Sequence, residues 1–95
     1  MNSHAFMESL KMIMPPPGLT PPLEALWWDA KGDWPRAHVL VDALETKEAM
    51  AVHAYLHRKQ GDQSNADYWY RRAGEQYRRT SLAEEWNALV AGLVG

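Results

Sequence analysis

The stretch AMAVHAYLHRKQGDQSNADYWYRRAG, residues 49–74, decides the predicted fold of this chain. Apolar residues recur in its first half at the spacing of one helical face. Gly61 can end that helix because glycine adopts a left-handed backbone without strain, and Asp62 can cap a second helix that runs back along the first. We therefore predict a helical hairpin with a tight turn at Gly61 and Asp62.

The same turn pattern occurs earlier in the chain, which indicates an internal repeat. Residues 32–37 and 61–66 both read G-D-x-x-x-A, at an offset of 29 residues, and on this register Leu23 aligns with Val52. Two stacked hairpins leave an apolar face uncovered, because each repeat buries its face only against a neighbour. The capping box at residues 81–84 begins a further helix that we expect to cover this face.

The predicted fold class is all-α, with two tandem hairpins and a C-terminal capping helix. We place this domain at residues 19–95 and assign residues 1–18 to an N-terminal arm and Pro-rich linker, since Pro15, Pro16 and Pro17 must interrupt any helix. On this boundary, a fragment of residues 19–95 should retain the helical signal and melting temperature of the whole chain. No segment alternates apolar and polar residues over a useful length, so no strand is predicted.

Residues 55–73 resemble a tetratricopeptide repeat (TPR). The positions that match are Tyr55, Gln60, Gly61, Asp62, Ala66, Tyr70 and Ala73. Residues 66–76 are similar to the second helix of Sel-one-like repeats, which are relatives of that family, and the whole chain resembles small uncharacterised bacterial proteins with a VHAYLHRK-type run. The resemblance implies TPR-like helical hairpins in a right-handed stack, and a scaffold or adaptor role in which the protein binds other protein segments.

The tetratricopeptide resemblance also implies where a partner would bind, because in that family the first helix of each unit lines an inner groove. Leu26 and Asp29 of the first unit would then face Tyr55 and Arg58 of the second. We expect a protein or peptide partner at these residues. A second copy of the chain, in a homodimer, is one such partner, since acids outnumber bases in the first repeat and bases outnumber acids in the second.

A small-ligand or metal site is the alternative function. His53 and His57 lie one helical turn apart, so both imidazoles can reach one ion. A third ligand would have to come from another helix, for which we consider Glu24, the residue aligned with His53 in the first repeat. Because the sequence specifies no third ligand, we expect no tight metal site and no cofactor. On this interpretation the two histidines are imidazoles that hydrogen-bond between helices.

Two tryptophans near the first turn are further candidates for a pocket. Trp28 and Trp34 lie beside the apolar face of the first hairpin and can line a pocket with His38. Alternatively, the two indoles cover an open end of the repeat. The candidate ligand pocket therefore consists of Trp28, Trp34, His38, His53 and His57.

An alternation of aromatic and basic residues marks the second half of the chain. Residues 68–72 read YWYRR and residues 77–79 read YRR, a pattern typical of surfaces that bind single-stranded nucleic acid. We favour a solvated basic helix face, because helical spacing turns Trp69 and Tyr70 inward and leaves Tyr68 outside. Nucleic acid is therefore not an expected partner.

Composition argues against several other classes. The 95-residue chain has a net charge of −2 and no cysteine, so it offers no strong field for nucleic acid or membranes and no thiolate chemistry. The N-terminus lacks the basic start of a signal peptide, and no apolar run approaches the length of a membrane span. No catalytic Ser-His-Asp grouping or glycine-rich phosphate loop is recognisable. We expect a cytoplasmic protein that is not an enzyme and has no membrane contact.

Overall fold

A computed structural model describes residues 1–75 and 80–94, and this part of the chain is entirely helical, with six helices and no strand. The helices are α1 (Ser3–Ser9), α2 (Pro21–Ala30), α3 (Trp34–Val41), α4 (Lys47–Gln60), α5 (Gln63–Ala73) and α6 (Leu82–Leu93). The predicted all-α class is confirmed. The basic run at residues 77–79 lies outside the described residues.

Two tight turns connect α2 to α3 and α4 to α5, and both have the chemistry that their sequences predict. Gly32 and Gly61 adopt left-handed backbone conformations, with φ of 85° and 89°. The side chains of Asp33 and Asp62 accept the backbone N–H of the residue three positions on, at 3.1 and 3.3 Å. Each of these Asp residues also donates its own N–H to the carbonyl five residues earlier, over 2.9 Å. The two turns therefore match at an offset of 29 residues, as the sequence repeat does.

The core lies between α2 and α4, and α6 covers it. Leu26, Trp27 and Leu56 are completely buried there. The Nε1–H of Trp86, on α6, donates to the carbonyl of Leu26 over 3.1 Å. Ser81 and Glu84 form the predicted capping box at the start of α6. The helix that we expected to cover the apolar face therefore packs on α2 and α4.

The first helix also contributes to the core. Phe6 is completely buried, with its ring centroid 6.0 Å from that of Trp86. Ser9 accepts the Nε1–H of Trp27 at 3.1 Å, so a buried indole on α2 takes its hydrogen-bond partner from α1. Ile13, by contrast, is 88% exposed. Residues 1–18 thus include one core element as well as exposed chain, and the boundary at residue 18 stays a prediction that truncation can test. None of the described helices combines the length and apolar character needed to cross a bilayer.

Candidate metal centre

Three histidines from two helices meet in a cluster between α3 and α4. His53 and His57 lie one turn apart on α4, and His38 reaches them from α3. The ring centroid of His38 is 4.8 Å from that of His53 and 5.2 Å from that of His57, and the two rings on α4 are 4.8 Å apart. One ring nitrogen from each histidine can be chosen so that all three lie within 4.8 Å of one another.

Burial differs across the cluster, and His38 is its most exposed member. His53 is 2% exposed and His57 is 7% exposed. The His38 side chain retains 23% of its surface. An ion would therefore reach the cluster from the His38 side, while the two α4 imidazoles form its protected floor.

Hydrogen bonds fix parts of the cluster and leave one nitrogen without a partner. The Nε2 atoms of His38 and His53 are 3.1 Å apart. Nδ1 of His57 lies 3.2 Å from Gln60 Oε1, and because an amide oxygen only accepts, Nδ1 carries the proton and the Nε2 lone pair stays available. Nδ1 of His53 is buried with no hydrogen-bond partner. A buried polar atom without a partner costs about 1–3 kcal/mol, so hydrogen bonding between helices does not fully account for the cluster.

Two tryptophans stack on two of the three imidazoles. Trp34 stacks on His38, with centroids 4.9 Å apart and planes 9° apart, and its Nε1–H is anchored on the carbonyl of Leu56 at 2.8 Å. Trp69, on α5, stacks on His53 at 4.1 Å. Aromatic stacking of this kind restricts rotation of the imidazoles, which gives the cluster a defined orientation before any ion arrives.

The cluster favours neutral imidazoles. Burial, with smaller contributions from the neighbouring His57 and His38 as potential positive charges, lowers the pKa of His53 from 6.5 to about 4. Burial also lowers the pKa of His38, although the carboxylate of Asp42 opposes this shift. Neutral imidazole is the form that binds metal ions, so these two ligands need not lose a proton near neutral pH.

The donor set and its spacing fit a transition-metal ion. Zinc binds imidazole nitrogen at about 2.0–2.1 Å, which places neighbouring ligands of a tetrahedral site about 3.3 Å apart. The 3.1 Å between the Nε2 atoms of His38 and His53 is close to this value. The third nitrogen lies within 4.8 Å of the other two. The hydrogen bond of His57 to Gln60 is the outer-shell contact that such ligands usually make.

The predicted ligand pocket is assembled except for one residue. Trp34, His38, His53 and His57 come together, whereas Trp28 points elsewhere, with the Arg36 guanidinium 4.2 Å over its ring. We expected no metal site because the sequence specified no third ligand. The structure brings His38 to the pair as a candidate third ligand, and the expectation of no tight metal site stays a prediction that metal analysis can test. The spacing rules for single helices missed His38 as a ligand because it joins the pair only when α3 packs on α4.

Glu24, the residue considered as a third ligand, has a different partner. It accepts the Nε1–H of Trp28 at 3.2 Å within α2. On the predicted 29-residue register, Glu24 and Trp28 align with His53 and His57. The predicted register therefore identified corresponding positions, but the residues at those positions differ in side-chain chemistry.

The predicted partner groove is largely closed. Leu26, Asp29 and Tyr55 are at most 3% exposed, and Arg58 binds the buried Glu85 on α6 at 2.7 Å. The reason is that α6 fills the space which we expected to remain open between the two hairpins. The Tyr55 hydroxyl donates to Asp29 at 3.0 Å, and burial together with this carboxylate raises the pKa of Tyr55.

A cleft of about 420 Å³ remains where α1 and α6 approach each other. Asp29 and Tyr55 contribute to its lining, and Met7, Leu10 and Trp86 make its walls predominantly apolar. Lys59 closes one side through an ion pair with Asp29 at 2.9 Å. The cleft thus retains Asp29 and Tyr55 of the predicted groove, and residues from the α1 and α6 sides are added to its lining.

Comparisons of the chain with protein-family models, with curated proteins and with solved structures find no match.

Proposed function

We propose that this protein binds a divalent transition-metal ion, zinc in the first instance, through His38, His53 and His57. The observation that carries the proposal is the convergence of three imidazoles from two helices, with ligand nitrogens within 4.8 Å of one another. The 3.1 Å between the Nε2 atoms of His38 and His53 and the outer-shell contact of His57 to Gln60 support it. Three nitrogen donors satisfy the lower limit for zinc sites in proteins.

The donor type selects the class of ion. Imidazole nitrogens suit zinc, copper, nickel and iron, whereas calcium and magnesium require oxygen-rich sites. The chain has no cysteine, so soft thiolate ligands are absent from any competing site on the same protein. Zinc is the simplest choice because it accepts a tetrahedral arrangement without a redox requirement.

Metal analysis on protein purified without a polyhistidine tag tests the proposal. We expect about one equivalent of zinc per chain after incubation with the ion and exhaustive dialysis. His38→Ala and His57→Ala should each weaken binding by more than the roughly 10–100-fold typical of losing an outer-shell partner, because each removes a direct ligand. Affinity is best measured by competition with a chromophoric chelator.

The fourth histidine provides a matched control. His4 lies on α1, is exposed and does not belong to the cluster. His4→Ala should bind zinc as the wild type does. Equal affinity for the His4, His38 and His57 variants would show that zinc binds nonspecifically to surface groups and would refute the site.

The tandem hairpins are part of the same proposal at the level of fold. We infer that α2–α3 and α4–α5 are two copies of one TPR-like unit. The matching conformations of Gly32 and Gly61, and the matching caps at Asp33 and Asp62, support this inference. On this view the metal site joins the second helix of the first unit to the first helix of the second.

Protein binding is the second candidate function, and one observation favours it. Four apolar residues of the N-terminal segment are exposed, namely Met7, Met12, Ile13 and Met14, with Ile13 at 88%. Met7 also lines the cleft. An exposed apolar patch of this kind is typical of a contact surface for a peptide or a second copy of the chain. Sedimentation of Ile13→Asp beside Val39→Asp, which alters an exposed apolar residue on α3, tests this candidate. If the chain self-associates through this patch, Ile13→Asp should abolish association and Val39→Asp should leave it unchanged.

A further inference from the structure

A carboxylate lies beside the histidine cluster, at the end of α3. Asp42 follows His38 by one helical turn and forms the C-cap of α3. Its Oδ1 atom is 3.7 Å from Nε2 of His38, the same nitrogen that faces His53. The Asp42 side chain is 61% exposed, so it is free to change rotamer without disturbing the core.

The arrangement consists of two pairs of residues on facing helices. His38 and Asp42 are separated by four positions on α3, and His53 and His57 are separated by four positions on α4. Residues four positions apart lie on one helix face, about one turn from each other. Two such pairs across a helix interface offer four donors, which is the number that a tetrahedral ion takes. The three imidazoles already lie within 4.8 Å of one another, and Asp42 would join them by a change of its side-chain rotamer.

The electrostatics of the cluster agree with this placement. The carboxylate of Asp42 raises the pKa of both His38 and His53, against the larger effect of burial, so its field reaches imidazoles on both helices. The same field favours a dication between them. Three neutral imidazoles alone would leave the charge of the ion without any compensation from the protein.

We propose that Asp42 is the fourth protein ligand and closes the site as a three-histidine, one-aspartate centre. The inference rests on the proposed metal function. It assigns the ion a structural role, because sites with four protein ligands are typically structural, whereas catalytic sites keep one position for water or substrate. The bound ion would tie α3 to α4 and hence the first hairpin to the second.

Cobalt substitution tests the inference, because tetrahedral Co²⁺ has strong visible d–d bands that respond to each change of ligand. The wild type, Asp42→Asn and Glu45→Gln are compared as complete chains. Glu45→Gln also removes one negative charge, but from a residue that pairs with Arg72. It therefore controls for the general effect of charge. Azide serves as the probe for an open coordination position, and far-UV circular dichroism confirms that each variant is folded.

We expect Asp42→Asn to weaken Co²⁺ binding by at least about 10–100-fold, which is the effect of losing an outer-shell partner. Glu45→Gln should leave Co²⁺ binding unchanged. Azide should alter the Co²⁺ spectrum of Asp42→Asn but not that of the wild type. If the wild type binds Co²⁺, responds to azide and matches Asp42→Asn in affinity, Asp42 is not a ligand and the site is open. If the wild type binds no better than His38→Ala, the three-histidine proposal itself fails, and this inference fails with it.

Discussion

The indole of Trp69 lies nearly parallel to the imidazole of His53, with ring centroids 4.1 Å apart and an interplanar angle of 23°. Trp69 is on α5 and His53 is on α4, so this stack joins the core of the second hairpin to the candidate metal centre. A change at Trp69 should therefore affect both the packing of the hairpin and the order of the cluster.

Replacement of Trp69 by alanine should destabilise the protein strongly. Trp69 packs between α4 and α5 but is only partly buried, so we expect Trp69→Ala to cost about 3 kcal/mol, the lower end of the range for large aromatic residues. Urea unfolding followed by circular dichroism measures this cost. Tyr68→Ala is the control because Tyr68 is 46% exposed, and it should cost less than about 1 kcal/mol. Equal costs would mean that the faces of α5 are assigned wrongly.

Acid should destabilise the protein between about pH 6.5 and pH 4, through His53. Its pKa falls from 6.5 to about 4 on folding, so within this window the unfolded chain binds a proton that the folded chain does not. Stability must then fall as the pH falls, by an amount on the order of 3 kcal/mol for this group. Urea unfolding at pH 7.5 and 4.5, with a chelator present to exclude metal, measures the change.

His53→Leu isolates the contribution of this histidine. The variant cannot bind the proton in either state, so its stability should depend less on pH across the same window. A pH dependence as steep as that of the wild type would assign the effect to other groups.

The local features of the fold were predictable from sequence, since their signals lie within a few residues. Gly61 and Asp62 specify their turn almost alone, and the helical period correctly placed Tyr68 outside. The partners that complete each site were not predictable. Periodicity shows that a side chain faces inward, but it does not show which distant helix covers it. His38 and the groove are examples, because both depend on how α3 and α6 pack on α4.

Removal of residues 1–18 should lower the melting temperature, contrary to the expectation from the Pro-rich break. The Phe6 ring is completely buried and Ser9 accepts the indole N–H of Trp27, so truncation exposes apolar surface and leaves a buried donor without its partner. Phe6→Ala alone should cost about 3–5 kcal/mol.

Met7→Ala is the matched control for Phe6→Ala. Met7 is its neighbour on α1 and is 44% exposed, so its replacement should have a small effect. Differential scanning calorimetry compares both variants with the fragment of residues 19–95. A fragment that melts cooperatively at the temperature of the whole chain would restore the boundary at residue 18.

The ion pair between Arg58 and Glu85 should be a main contributor to the attachment of α6. The Nη1 atom of Arg58 is 2.7 Å from Glu85 Oε1, and Glu85 is only 1% exposed. Its other oxygen accepts the hydroxyl of Tyr70 at 2.6 Å. Removing one member of a buried ion pair is strongly destabilising, so Arg58→Ala should cost about 3–5 kcal/mol. This differs from the sequence-based expectation, in which Arg58 lined a groove and contacted a partner.

Two comparisons distinguish the cost of leaving a charge buried from the cost of losing an arginine side chain in general. Arg72 pairs with Glu45, whose side chain is 75% exposed, so Arg72→Ala should cost less than about 1 kcal/mol. Glu85→Gln keeps an acceptor for Tyr70 but carries no charge that needs a cation. The double variant Arg58→Ala with Glu85→Gln should therefore be more stable than Arg58→Ala alone, because it removes the charge that the single variant leaves buried. If the double variant is no more stable, the cost of Arg58→Ala arises from lost packing of the arginine stem, and the ion pair does not hold α6 in place.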